Sequence, residues 1–313
     1  MNYFNIINVF VISSVFVACD GATTATQTGL DGVFPSAGEP AILTRRSEGS
    51  DPMPRSYAVN QSVSREFKFT NRFSLVTGSD ASSGQVTRNI AAAGLRTAAP
   101  DPAGGDAMRL GCVLTAMKFT VEGVEAAGGD SQAAVDGAAN ALPESMNWDR
   151  FVNLRGADVS RPQASATSAE VALSLRDVSI LGSVPWPDEP IGVGGTWETR
   201  STIDIVGIPF QVVHSYKLLR IDKNKGSVAI TMQGVGQATK LASEFAFIGA
   251  DNGVLLSGRA EGDGTIYFDL AHPEACTTTF RSSCDLQCKL NGIDVAITVR
   301  QDLKATPSEP DRK

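Results

Sequence analysis

Histidine and aromatic residues are scarce in this chain of 313 residues, which holds two histidines, three tryptophans, four tyrosines and 7% aromatics in all. With only His214 and His272, and no Gly-x-Ser-x-Gly, there is little from which to build a histidine-dependent nucleophile or a histidine metal site. Charge is also sparse at 19%, and 34 acids against 27 bases leave a net charge of −7. That balance excludes nucleic acid as the main partner. No apolar run after the first 18 residues is long enough to cross a bilayer as a helix. Apolar residues are plentiful at 42%, too many for a chain disordered along its length. The length suits two ordinary domains or one large all-β unit.

Residues 1–18, MNYFNIINVFVISSVFVA, carry no charged side chain, and their apolar core has signal-peptide length and ends at a small residue. Cys19 follows at once. The run Phe16-Val17-Ala18-Cys19 resembles the lipobox of bacterial lipoproteins. That resemblance implies a lipid on Cys19 and a place in the cell envelope, outside the cytoplasm, anchored to a bacterial membrane. The same residues also fit a cleaved signal peptide with an incidental Cys, or an uncleaved anchor. Residues 19–62 are rich in Ser, Thr, Gly and Pro without a lasting apolar period, so they read as a flexible tether. Residues 304–313 read as a disordered tail. The folded body is then 63–303, either undivided or as two halves, 63–183 and 184–303.

Alternation dominates the body. Phe67, Phe69, Phe73 and Leu75 share one parity, with Glu66, Lys68 and Arg72 on the other. A weaker strand is expected at 85–90, a loop at 97–106, a long strand over 107–122 with Met108, Leu110, Cys112 and Leu114 on one face, and a short strand near 150–155. Two helices are expected in the middle. One ends at Leu142 before Pro143, and the other follows the capping-box spacing of Thr167 and Glu170 and stops at Gly182. From Trp197 onward strands follow one another. Phe210, Val212, His214, Tyr216 and Leu218 share a face, strands are expected around Leu241 to Phe247 and from Val254, and residues 275–290 read as one strand. The turn Asn291-Gly292 pairs Leu290 with Ile293, Cys288 with Val295 and Leu286 with Ile297. The expected class is mainly β with two short helices (α+β), as a curved antiparallel sheet or half-open barrel.

The phrase Pro185-Trp186-Pro187-Asp188-Glu189-Pro190-Ile191-Gly192-Val193-Gly194-Gly195-Thr196-Trp197 resembles one that opens the C-terminal β half of a family of uncharacterised secreted bacterial lipoproteins. Gly262-Asp263-Gly264-Thr265-Ile266-Tyr267-Phe268-Asp269-Leu270 is similar to a second landmark of that family. The resemblance implies fold and location, and supplies no activity. Physically the first phrase is a structural joint. Pro190 extends the backbone, Gly192 and Gly194 allow a tight turn, and Trp197 is a large apolar plug.

Cys112, Cys276, Cys284 and Cys288 remain once Cys19 is set aside. On one strand, Cys284 and Cys288 stand roughly 13 Å apart and Cys276 and Cys284 roughly 26 Å, too far for a disulfide. A zinc site from His272 and these three cysteines fails by the same distances. Buried thiols are the first expectation, and one disulfide from Cys112 to Cys276, Cys284 or Cys288 is the alternative. His214 reads as a core histidine, Asp188-Glu189 as a solvated turn, and Arg45-Arg46 as solvated or membrane-surface charges in the tether. No cofactor, metal or catalytic residue is expected. The partners expected are a membrane through the lipid and either an apolar ligand or an envelope protein. The function expected is therefore a non-enzymatic protein that holds an apolar or lipid ligand, or else a surface lipoprotein acting through protein partners.

Overall fold

The computed structural model describes residues 30–308, except 37–38, 78–84, 102–105, 123–144, 158–162, 166–182, 206–207, 237, 241–252 and 291–292. Both expected helices, the strand at 241–247 and Cys19 lie outside the described residues. Among the described residues the only helical element is a 3₁₀ turn at Pro273–Ala275. The chain is mainly β, and the helical part of the expected α+β class has no support there.

The described residues hold fifteen strands in order: β1 (Ile42–Ser47), β2 (Ser50–Met53), β3 (Val63–Thr77), β4 (Gln85–Pro100), β5 (Ala107–Glu122), β6 (Ser145–Asn153), β7 (Gln163–Ser165), β8 (Ile191–Val193), β9 (Thr196–Ile205), β10 (Ile208–Asp222), β11 (Lys225–Gly236), β12 (Thr239–Lys240), β13 (Val254–Asp269), β14 (Thr277–Leu290) and β15 (Ile293–Pro307). Thirteen form one antiparallel sheet in the order β1-β9-β10-β11-β13-β14-β15-β3-β4-β5-β6-β7, with β12 beside β13; β2 and β8 pair separately. The expected halves 63–183 and 184–303 are thus one sheet, joined where β15 pairs β3 from Ile297–Thr77 to Pro307–Phe67.

Three expected boundaries move. The tether contains β1, which pairs β9 from Ile42–Arg200 to Ser47–Thr196, and β2, which pairs β8. β2 is exposed throughout and β1 nearly so, so backbone bonds hold them and no apolar period marks them. β15 runs through Pro307 into the expected tail, and Ser308 N–H donates to Glu66 O at 2.8 Å. β4 continues to Pro100 through residues expected as a loop, because Arg96, Thr97 and Ala98 pair with Cys112, Gly111 and Leu110.

One face of the sheet is apolar. Phe67, Met108, Leu110, Cys112, Trp197, Tyr216, Ile230, Phe268 and Leu303, from strands across its width, belong to a single buried cluster. Laid flat, β9 and β6 would be separated by nine strand spacings, roughly 43 Å. Yet Trp197 Nε1–H donates to Pro185 O at 2.7 Å while Trp186 N–H donates to Arg155 O, just past β6, at 2.7 Å. The sheet therefore curls, and residues 183–186 bridge its flanks at one end. Among the described residues no ladder closes it, and β1 and β7 are its outermost strands.

The outward face mixes charged side chains with single exposed apolar ones such as Leu95, Val254, Leu256 and Tyr267. Arg281 pairs with Asp302 at 3.1 Å and Lys289 with Asp294 at 3.6 Å; Lys68, Arg72, Arg259, Glu261 and Asp263 are exposed. A transmembrane barrel needs the reverse, an apolar band outside.

Candidate functional site

The bridged end is built by the phrase 185–197 and its neighbours. Trp197 is fully buried, stacks on Tyr216 at 5.4 Å between centroids and 8° between planes, and meets Trp186 at 5.3 Å. Trp186 turns its edge to Phe268 at 4.9 Å. Tyr57 OH accepts from Val184 N–H at 2.9 Å, and Tyr57 N–H donates to Leu154 O. Gly192 is pressed onto β2, where an added Cβ would lie 1.8 Å from Ser50 O. Gly194 has φ +82 in open space. Pro190 is exposed, and its carbonyl accepts from Arg45 Nη1 at 3.1 Å.

The apolar face continues to the other end of the sheet as a second cluster of Phe210, Val212, Leu255, Ala260, Leu286, Cys288 and Ile297. Ile203, Met232, Cys284, Val295 and Val299 flank it and are only half-buried. Phe210 lies over Gly236 and Gly258, whose added Cβ atoms would meet its ring at 2.7 and 2.9 Å. Val254 and Leu256, which share the parity of Ile266 and Phe268, point outward, and Leu255 is buried. The cause is a bulge between Leu255 and Ser257, which swaps the parity of β13.

Polar groups also enter the interior near the bridged end. Arg96 is 4% exposed, lies over the Phe67 ring at 4.9 Å, and donates from Nη1 to Cys276 O at 2.8 Å. Glu274, on the 3₁₀ turn, is 1% exposed; His272 Nδ1 stands 3.2 Å from its Oε1, and Arg65 Nε 3.9 Å. Neither is marked by any motif in the sequence. Arg96 sits among the small residues Ala91, Ala92, Ala93 and Gly94, and only the parity it shares with Ala92 and Ala98 places it inward.

The other expected residues are dispersed. His214 is buried on the inner face, its ring 6.4 Å from Tyr216. Asp188 is exposed and pairs with Arg155. Arg46, expected to be solvated, pairs with Glu198 at 2.7 Å on β1 and β9. Among the described residues no three of His, Cys, Asp and Glu are placed to share a metal ion.

Cys112, Cys276, Cys284 and Cys288 are all free thiols. Burial pushes Cys112, Cys276 and Cys288 up to about 11, with Arg96 opposing the shift at Cys112 and Cys276. Burial, then Asp285 and Cys288, push Cys284 up to about 12. At pH 8 the thiolate fraction is then about one in a thousand or less. With Cys19 replaced, a disulfide-exchange reagent at pH 8 is expected to label no thiol in the native protein and four after denaturation. Two thiols on denaturation would instead reveal one disulfide. The unfolded chain ionises its thiols near 9 and the folded chain later, so this contribution to stability is full below pH 9 and fades toward pH 11 and 12.

No protein-family model matches the chain, and no curated protein matches it. Among solved structures it is similar to a BenF-like porin from Pseudomonas fluorescens Pf-5, at 8% identity and a TM-score of 0.24, over 80% of this chain and 100% of the other. A likeness so distant carries no argument about fold or function.

Proposed function

We propose that this protein is an exported lipoprotein, anchored through Cys19 to a bacterial membrane, that holds an apolar or lipid ligand against the inner face of its curled sheet and performs no catalysis. One observation carries the reading. The apolar face extends past the bridged end into a second cluster whose flanking Ile203, Met232, Val295 and Val299 are only half-covered, while the outward face carries charged side chains. An apolar surface on the inside of a curled sheet suits a guest that water rejects. The lipobox-like Cys19 and the resemblance to secreted lipoproteins support the envelope location.

The test is native mass spectrometry on the chain carrying Cys19→Ser, purified without detergent. A reproducible lipid-sized adduct, lost on denaturation, is the expected result. A bare mass from several hosts, and after addition of lipids, would sink the ligand reading and favour a lipoprotein that acts through protein partners. Incorporation of labelled palmitate in the bacterium, abolished by Cys19→Ser, tests the anchor separately.

A further inference from the structure

We propose that Arg96 is the binding point for an acidic group, a carboxylate, carried by a ligand in the interior of the sheet. The inference rests on the ligand-holding reading above and gives that ligand a charge. Arg96 is on β4, directly across from Arg65 on β3 and Cys112 on β5. All three side chains therefore start from the inner face. The Phe67 ring takes one face of the Arg96 guanidinium, and Cys276 O accepts from Nη1. Nη2 is buried and has no hydrogen-bond partner.

Among the described residues no carboxylate forms an ion pair with Arg96, although Glu274 and Asp269 lie close enough to act on the same Cys276 thiol. Glu274 Oε1 has His272 Nδ1 at 3.2 Å and Arg65 Nε at 3.9 Å as its nearest basic groups and, like Arg96 Nη2, has no hydrogen-bond partner. Asp269 accepts from Ala271 N–H at 3.0 Å and stands 3.5 Å from Lys225 Nζ. An arginine never loses its proton in a protein, so this group cannot escape the penalty of burial by becoming neutral. The Phe67 contact and one carbonyl offset only part of it. A cation held in an apolar interior with a free N–H edge is matched by an anion, and the planar guanidinium suits a carboxylate. The carboxylate can arrive on a fatty acid or as a small free anion, and the two sources separate by experiment.

The experiment uses the chain with Cys19→Ser, stripped of lipid, and measures binding of oleate, oleyl alcohol and acetate by calorimetry, with and without Arg96→Met. Oleate is expected to bind about tenfold or more tighter than oleyl alcohol, and Arg96→Met to bring the two to equal affinity. Arg96→Lys keeps the charge and is expected to keep part of the preference. Acetate binding that Arg96→Met abolishes, without preference for oleate, would assign the site to a small free anion. Equal binding of oleate and oleyl alcohol to the parent chain, with acetate silent, overturns the assignment of Arg96 and leaves the apolar reading intact. Binding of none of the three defeats both. Since the parent chain alone decides between oleate and oleyl alcohol, a folding failure of either variant does not blunt the test.

Discussion

Trp197→Ala is expected to remove about 3–5 kcal/mol of unfolding free energy, the range for losing a large buried aromatic. The indole is fully buried, stacked on Tyr216 and tilted against Trp186, and its Nε1–H holds Pro185 O. Alanine would leave a void where three aromatic side chains meet and free the bridge between the flanks of the sheet. Trp197→Phe divides the effect. It keeps a ring against Tyr216 and loses the hydrogen bond, for an expected loss of about 1–2 kcal/mol from the bond itself. Urea unfolding followed by circular dichroism measures both. A midpoint for Trp197→Ala close to that of the parent would show that the bridged end contributes little to the cooperative fold.

Gly192→Ala is expected to be nearly as damaging, at about 3 kcal/mol, the upper part of the usual range for overpacking. The new methyl would meet backbone, Ser50 O at 1.8 Å and Ser50 C at 2.6 Å, and backbone cannot rotate aside. β2 would have to part from β8. Gly194→Ala, two residues on, is the control. Nothing lies within 4 Å of its added Cβ, and only its φ of +82 resists the change, so about 1–2 kcal/mol is expected. Thermal midpoints rank the two, and limited proteolysis around 48–54 reports whether β2 has come loose. Equal loss at both glycines would mean that backbone conformation, and not the fit of β2 on β8, dominates this turn.

Where a strand buries one face, the sequence shows it. The pairs Leu286–Ile297, Cys288–Val295 and Leu290–Ile293 expected from Asn291-Gly292 are the register of β14 and β15, because a two-residue turn fixes which residues face each other. β5 spans Ala107–Glu122 as its alternation indicates. Parity failed at β13, where one extra residue at the Leu255/Ser257 bulge reverses inside and outside. It was silent for β1 and β2, which bury little. Arg96 was missed for a different reason: a lone charge among alanines reads as solvent-facing until its partner strands are known. The burial of Trp197 and the tight place of Gly192 were foreshadowed by their residue types, whereas the pairing of Gly192 with Ser50 depends on a strand that had read as linker.

The pairing of β15 with β3 bears on the order in which the chain can fold. Strands β9 to β15 and strands β3 to β6 each form runs whose strands mostly lie beside their sequence neighbours, and such local pairings form early. The ladder between the runs joins residues roughly 230 positions apart, so its loop-closure entropy delays it. Until that ladder forms, β15 and β3 each offer a long unpaired edge, the template on which chains aggregate. β15 lies between β14 and β3, so a chain cut short of residue 293 would present the edges of both to its neighbours.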